Sequence, residues 1–255
     1  MPLYGTLDTA SVAPRLPVLG NLDTEAWLLP QAEILQLAFE TPLATLSLLP
    51  RAMHPAVPPY IILSVIRYPE SPVGVFNLAM LRLSSRAGAH PRGFVLGAVA
   101  SSPAAAKALR AGWAFPVEAG EVTFTRRHDR VMATAARAGR CILDCALVDP
   151  EPISSGDVQY INWVTMGTAP LDGKSGPLLI QVDPRHTIHK AERGRPEVAH
   201  FDPAAWNAPS ARLLNPIVAT VCTSDTDLPR IRFVMDPEIP VFKGTKRIRE
   251  SREAE

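Results

Sequence analysis

The sequence has few cysteines. Cys141, Cys145 and Cys222 are a small and odd number, which disfavours a disulfide framework and is typical of proteins kept in a reducing cytoplasm. Cys141 and Cys145 lie four residues apart, but a zinc site needs more ligands of matching spacing, and none is evident. We therefore expect a cytoplasmic protein with buried thiols and no metal site.

An excess of charge of one sign is also absent. The chain has 26 basic and 25 acidic residues, so it lacks the basic surface that binds nucleic acid. No apolar run is long enough to span a bilayer, and the first residues, Met1–Tyr4, do not resemble a signal peptide. We predict neither a nucleic-acid partner nor a membrane partner.

Several catalytic and cofactor motifs are missing as well. The sequence contains no nucleophile elbow, no phosphate-binding loop and no dinucleotide fingerprint. His186 and His189 form the only histidine cluster. The segment after Pro184 is interpreted chiefly as a surface loop, with a catalytic histidine as one alternative and a metal site as another. A metal site there would need a third ligand such as Asp183 or His200. We therefore predict no cofactor.

What the sequence does contain is a series of short apolar segments separated by turns. Apolar residues make up 47% of the 255 residues, and the 26 prolines cluster between these segments. Closely spaced turns favour antiparallel connections. The predicted strands are 33–39, 60–68, 73–83, 93–100, 121–126, 130–137, 140–148, 159–166, 177–183, 214–223 and 228–235. The predicted helices are 42–49, with Thr41 as N-cap, and 104–111, with Ser102 as cap and Pro103 at the first position.

These segments predict a mainly β (α+β) fold with a few short helices, closed around a central cavity. Residues 1–28 are expected to form an extended N-terminal arm. Residues 29–240 are expected to form a single domain. Residues 241–255, where basic residues alternate with glutamates, are expected to form a charged flexible tail.

Several segments in their order along the chain resemble the acetoacetate decarboxylase family. They are Phe39–Pro50, Gly74–Phe76, Ala100–Glu118 and the last strand pair from Leu214 to Phe233. No single motif is specific, but the ordered series is moderately so. The resemblance implies an antiparallel β-cone with the pocket inside the cone, and frequent homo-oligomers. We therefore expect this protein to be a homo-oligomer.

The same resemblance implies that the family's chemistry has been lost. In that family an aromatic-Pro-Lys-Lys run carries the lysine that forms a Schiff base with a β-keto acid. Here Phe115-Pro116 is followed by Val117 in place of that lysine and by Glu118 in place of its lysine neighbour. Arg110 keeps the arginine of a Gly-Arg-Glu motif. Other family site residues, two carboxylates, an arginine and the glutamate of that motif, fall on or near apolar positions: Leu78, Leu63, Ala32 and Ala111.

The chemistry that remains centres on two charged residues. A glutamate facing an apolar chamber has a raised pKa and can act as a general acid or base, so Glu118 is the first catalytic candidate. The alternative is that it points outward or pairs with an arginine. Arg110 is the second candidate, because a guanidinium can bind a carboxylate or an enolate. The predicted substrate-binding residues are Arg67, Asn77, Leu78, Trp113, Phe115 and Val117.

Three functions remain open. The first is an enzyme that acts on a hydrophobic oxo or polyketide-type compound without a Schiff base, by cyclisation, isomerisation, dehydration or C–C cleavage, as in natural-product tailoring. The second is a non-catalytic binder of apolar ligands. The third is a β-keto acid decarboxylase with a displaced lysine. Lys107 is the only credible donor for that lysine, although a surface position is favoured for it.

Overall fold

The computed structural model describes residues 4–248. Three short helices lie among them: α1 (Thr9–Val12), α2 (Pro103–Trp113) and α3 (Val241–Gly244). Four 3₁₀ turns occupy Ala13–Arg15, Leu43–Leu48, Ser155–Asp157 and Pro203–Trp206. Among the described residues, no helix is long and apolar enough to cross a membrane.

Strands make up most of the described structure. They are β1 (Trp27–Glu40), β2 (His54–Pro55), β3 (Tyr60–Tyr68), β4 (Phe76–Ala87), β5 (His90–Ala100), β6 (Val117–Ala119), β7 (Glu121–Arg126), β8 (Arg130–Arg137), β9 (Arg140–Ile153), β10 (Asn162–Leu171), β11 (Lys174–Val182), β12 (Arg185–Phe201), β13 (Pro216–Leu228), β14 (Phe233–Met235) and β15 (Thr245–Arg247). The predicted mainly β fold with a few short helices is confirmed.

All fifteen strands belong to one mixed sheet. The main path runs β15-β14-β11-β10-β5-β4-β3-β1-β13-β12-β9-β8-β7, with β2 beside β4 and β6 beside β5. Most pairs are antiparallel, but β10 and β6 both run parallel to β5. Parallel pairing requires a crossover, and helix α2 supplies it between β5 and β6. The predicted closure around a central cavity is not seen: between residues 4 and 248 the path is not hydrogen-bonded into a closed ring, although β7 approaches β3, β4 and β5.

The central strands bury apolar side chains on both faces. Because successive side chains of a strand point to opposite faces, the sheet carries two clusters. The first cluster contains Leu37, Leu63 and Leu81 and extends to β8 and β9. The second cluster contains Ile34, Ile66, Leu78 and Met80 together with side chains of α2. Burial on both faces explains why these strands are almost continuously apolar.

Two sequence predictions differ from the structure in instructive ways. The segment after Pro184 was interpreted as a surface loop but is the start of strand β12. The strand contains Pro196, and register shifts, for example between Ile188 and Lys190, interrupt its alternating pattern. The segment 42–49 was predicted as a helix capped by Thr41. It is instead the 3₁₀ turn Leu43–Leu48, and its N-cap, Pro42, makes no side-chain capping bond.

The two ends of the described chain are partly ordered by packing. Between residues 4 and 28, α1 and a 3₁₀ turn interrupt the extended backbone, and Leu19 is buried. At the other end, α3 and β15 occupy the start of the predicted tail, and β15 pairs with β14. Residues 249–255 of that tail lie outside the described residues. The division into arm, domain and tail itself stays a prediction.

Candidate functional site

The segment after α2 brings apolar residues into the second cluster. Helix α2 ends at Ala114 in the left-handed conformation, with φ 52°. Its close neighbour Gly167 has no side chain, and a Cβ there would lie only 2.5 Å from the Cβ of Ala114. This tight turn directs Phe115 and Val117 inward, where both are buried. Phe115 packs edge-to-face on Trp163, with 5.7 Å between ring centroids.

The predicted apolar substrate-binding residues are thus brought together. Leu78, Trp113, Phe115 and Val117 all belong to the second cluster. The only hydrogen-bond donor of the Trp113 side chain is already used, since its indole N–H donates to the Pro229 carbonyl at 2.8 Å. They form an apolar wall, and the polar centre lies beside it.

That polar centre is Arg82, a residue that the sequence reasoning did not single out. It lies on β4, is 2% exposed, and faces the second cluster. Its Nη2 donates to Gln36 Oε1 at 3.0 Å and to Ser64 Oγ at 2.6 Å, and its Nη1 donates to the Ile161 carbonyl at 3.2 Å. Its Cζ lies 5.8 Å from the Trp163 ring centroid. Trp163 therefore joins the polar centre to the apolar wall.

The charge of Arg82 is poorly compensated. Burial lowers the pKa of Arg82 to about 10, against the opposing influence of Tyr160, Tyr60 and Tyr68. All of its hydrogen-bond acceptors are neutral groups, and none of the ion pairs between residues 4 and 248 involves it. Its Nε has no partner within that range. A buried cation without a counter-ion is costly, and an anionic oxygen would relieve that cost.

Further polar groups lie beside this centre. The Tyr160 hydroxyl is 2.8 Å from Cys222 Sγ, and the Tyr160 ring lies 4.8 Å from that of His186. His186 Nδ1 is 3.0 Å from Thr226 Oγ1. Burial raises the pKa of Tyr160 well above its usual value, and burial, followed by repulsion from Arg82, lowers the pKa of His186 to about 4. The phenol and the imidazole are therefore both neutral at neutral pH.

Glu118 does not join these groups. On β6, Val117 takes the inward position, so the next side chain points outward. Glu118 is 56% exposed and accepts a hydrogen bond from Arg137 Nη1 at 2.8 Å. The structure thus places Glu118 on the outward side of β6 and paired with an arginine, which is the alternative considered above, because neighbouring residues of a strand face opposite sides.

The other predicted polar residues also lie away from Arg82. Arg67 is exposed and pairs with Glu33 at 3.1 Å. Asn77 is half-buried, and its Nδ2 donates to the Val122 carbonyl at 2.8 Å, which ties β4 to β7. Arg110 is half-buried in the last turn of α2, where the helix dipole stabilises a positive charge.

None of the lysines is buried. The chain has five, all within the described residues, and all five are exposed: Lys107, Lys174, Lys190, Lys243 and Lys246. The displaced lysine considered above, Lys107, points outward from α2. A Schiff-base lysine must be neutral near pH 7, which requires burial or a cationic neighbour to lower its pKa by about three units.

The histidine pair does not form a metal site. His186 faces the Tyr160 ring, whereas His189 is exposed and pairs with Asp225 at 2.9 Å. Across residues 4–248 no group of three His, Cys, Asp or Glu side chains is arranged to hold a metal ion.

A separate cavity of about 130 Å³ lies on the first-cluster side of the sheet. The N-terminal segment covers it, and most of its lining is apolar, including Leu7, Leu16, Phe94, Leu96, Pro116 and Met166. It has no buried charged group comparable to Arg82. We therefore place the candidate site at Arg82.

Comparisons with known proteins agree with this fold. A model of the family described as acetoacetate decarboxylase (ADC) matches residues 16–236. An acetoacetate decarboxylase from Legionella pneumophila superimposes with a TM-score of 0.72 at 18% identity, covering 83% of this chain and 88% of that one. The enduracididine biosynthesis enzyme MppR, complexed with pyruvate, gives 0.66 at 11% identity, covering 80% and 88%.

An acetoacetate decarboxylase-like enzyme from Sphingomonas wittichii gives a TM-score of 0.59 at 16% identity, covering 81% of this chain and 93% of that one. At these identities the structural likeness concerns the fold alone. A search of curated proteins found no significant match.

Proposed function

Because the chain belongs to the acetoacetate decarboxylase family, we propose that it is an enzyme that converts a small hydrophobic oxo acid without forming a Schiff base. The observation that carries the proposal is a buried guanidinium on the face of the sheet where the family resemblance puts a nucleophilic amine that this chain lacks. Val117 occupies the position where the family resemblance puts the lysine, and Arg82 is a buried guanidinium on the same face of the sheet.

The absence of a buried amine argues against covalent catalysis. An exposed ammonium keeps its proton near pH 7 and is a poor nucleophile. All five lysines are exposed, so the decarboxylase with a displaced lysine is the least supported of the three hypotheses.

Arg82 supports chemistry in which negative charge develops on oxygen. A guanidinium held in a dry site stabilises an enolate or a carboxylate strongly, because its neighbours are already oriented. Gln36 and Ser64 hold Arg82 Nη2, whereas Nε has no partner among the described residues. The apolar wall of Phe115 and Trp163 suits the hydrophobic part of the substrate. An oxo acid can undergo isomerisation, dehydration, cyclisation or C–C cleavage by way of such an enolate.

The test is enolisation of a probe acid, 4-phenyl-2-oxobutanoate, in deuterium oxide. Proton NMR would follow loss of the hydrogens next to its ketone. We expect the protein to accelerate this exchange above the buffer rate, and Arg82→Met to reduce the acceleration at least tenfold. Exchange at the buffer rate with both proteins would refute enolate chemistry for this class of acid.

A non-catalytic binder is the second candidate. One observation favours it: the neighbouring Tyr160 and His186 have pKa values displaced away from neutrality, whereas an efficient acid or base has a pKa near the working pH. Saturable binding of the probe acid with no deuterium exchange would favour the binder, and any Arg82-dependent exchange would exclude it.

A further inference from the structure

A short segment covers the Arg82 site. Residues 158–161, here the cover segment, connect the 3₁₀ turn Ser155–Asp157 to β10 and belong to no strand or helix. The cover segment lies across the face of the sheet that carries Arg82. Its Ile161 carbonyl accepts from Arg82 Nη1 at 3.2 Å, and its Gln159 carbonyl accepts from Gln36 Nε2 at 3.4 Å.

The cover segment is held by few bonds, and two of them depend on the site itself. Besides the two carbonyl contacts, the Tyr160 hydroxyl meets Cys222 Sγ at 2.8 Å, and the Val158 amide donates to the Ser155 carbonyl at 3.3 Å. A thiol is a weak hydrogen-bonding partner, but the Val158 side chain is buried in the second cluster and adds to the cost of opening. A segment outside the strand ladder still opens at a lower free-energy cost than the strands beneath it.

Movement of the groups around Arg82 is required if it is to meet a ligand, because Arg82 is 2% exposed. Among those groups, the cover segment lies outside the strands and contacts Arg82 through the Ile161 carbonyl. The position in front of its Nη1 is already occupied by a neutral carbonyl oxygen. A carboxylate or enolate oxygen forms a stronger bond to a guanidinium than a carbonyl does, so it competes effectively for that position.

We propose that the cover segment opens and closes over the Arg82 site, and that a ligand's anionic oxygen takes the place of the Ile161 carbonyl on Arg82. The identity of the ligand rests on the proposed function. The opening movement does not, because it follows from the contacts of the unliganded protein.

Cys222 provides a built-in reporter of the movement. It lies under the Tyr160 hydroxyl and is 3% exposed, while Cys145 is 2% exposed on the other face of the sheet, in the first cluster. Methyl methanethiosulfonate converts a thiolate to a methyl disulfide and releases methanesulfinate. Mass spectrometry after tryptic digestion would follow this labelling at each cysteine. We expect exposed Cys141 to react first, Cys222 measurably, and Cys145 most slowly.

The deciding variant is Tyr160→Phe, which removes the contact to Cys222. Burial raises the pKa of Cys222 to about 11, and the contact with the Tyr160 hydroxyl partly offsets this rise, so loss of the contact alone would make the thiol less reactive. An increase in the rate at Cys222 therefore reports greater access. We expect a several-fold increase at Cys222 and no change at Cys145. Tyr4→Phe is the matched control, since the Tyr4 ring lies against His54, away from the site.

Arg82→Met breaks the other anchor of the cover segment and should also accelerate labelling of Cys222. It serves as a second perturbation if Tyr160→Phe folds poorly. Labelling of Cys222 as slow as that of Cys145, and unchanged in both variants, would overturn the proposed movement.

The second half of the proposal is tested with the same probe acid. Ligand binding ordinarily protects nearby amides from hydrogen exchange. If the acid displaces the Ile161 carbonyl, amide exchange across residues 158–161 should instead become faster, and the methyl ester of the acid should have no such effect. Unchanged or slower exchange with bound acid would refute the displacement. Faster Cys222 labelling together with no binding of the acid would leave the movement standing and refute the proposed function.

Discussion

The same substitution at two buried arginines should have very different effects on stability. Arg82 and Arg92 are 2% and 7% exposed, and the Nε of each has no hydrogen-bond partner within residues 4–248. They differ in their surroundings. Arg92 forms an ion pair with Asp183, whereas Arg82 contacts only neutral acceptors. Replacing each with methionine, which has a similar length, isolates this difference.

For Arg82→Met two opposing contributions to the free energy of unfolding nearly cancel: the relief of the cost of burying a charge and the loss of hydrogen bonds. The lowering of the pKa of Arg82 to about 10 corresponds to about 3 kcal/mol of unfavourable burial of the charge. Because the pKa in the folded state is lowered, this cost is present in full at neutral pH and begins to shrink only as the pH rises above about 10. Three hydrogen bonds are lost at about 1 kcal/mol each. We therefore expect a change in the free energy of unfolding within about 1 kcal/mol of zero.

For Arg92→Met the loss outweighs the gain, although burial also lowers the pKa of Arg92. The variant leaves the Asp183 carboxylate, 32% exposed, with the Asn162 amide, 3.0 Å away, as its remaining partner. Removing one partner of a buried ion pair costs about 3–5 kcal/mol, and partial exposure reduces this to about 2 kcal/mol or more. A domain of this size loses about 2–4 °C in melting temperature per kcal/mol, so the melting temperature should fall by at least about 4 °C.

Urea unfolding at pH 7, followed by circular dichroism, measures both variants against the unchanged protein. The account requires Arg92→Met to be clearly less stable and Arg82→Met to be close to the unchanged protein. If Arg82→Met loses about 2 kcal/mol or more, Arg82 is a structural residue, and its burial needs no ligand to explain it.

Three further outcomes are expected. Glu118→Gln should change the rate of deuterium exchange of the probe acid by less than about twofold, because Glu118 is exposed and paired with Arg137. A tenfold loss of rate would show that Glu118 takes part in the reaction. Burial lowers the pKa of His186 from 6.5 to about 4, so its contribution to stability is present above pH 6.5 and falls as the pH drops. Urea titrations at pH 7 and pH 5 should show a loss of about 2 kcal/mol that is absent in His186→Gln; an equal loss in both would contradict this. Treatment with borohydride and acetoacetate should leave the protein unlabelled. An adduct on Lys107 would show that the protein does form a Schiff base.

The strands that the sequence predicted well are those with a plain chemical signal. Segments 60–68, 121–126 and 130–137 were predicted with the bounds that the structure shows, because each is rich in strand-forming residues and bounded by turn residues. Ser102 and Pro103 marked the start of α2 for an equally local reason, and the Ser102 side chain accepts from the Ala105 amide. The family resemblance, confirmed by the match over 16–236, came from the order of such segments.

The candidate site was harder to find, because it depends on register between distant strands. Gln36, Ser64 and Arg82 each interrupt an apolar run of a strand, but nothing in the sequence shows that the three share a face. The pairing of Gln36 with Ser64 across β1 and β3, and of Ile62 with Arg82 across β3 and β4, brings them together. Alternation along β6 likewise decides that Val117, and not Glu118, points inward. No sequence pattern fixes these registers in advance.

The most direct test of the central claim compares the affinity of the probe acid with that of its neutral methyl ester by titration calorimetry. The account predicts that the unchanged protein binds 4-phenyl-2-oxobutanoate at least tenfold more tightly than the ester, a difference of about 1.4 kcal/mol. Arg82→Met should remove this preference without loss of folding. Equal affinity for acid and ester in the unchanged protein, or a preference that survives in Arg82→Met, would contradict the assignment of Arg82 as the anion-binding group.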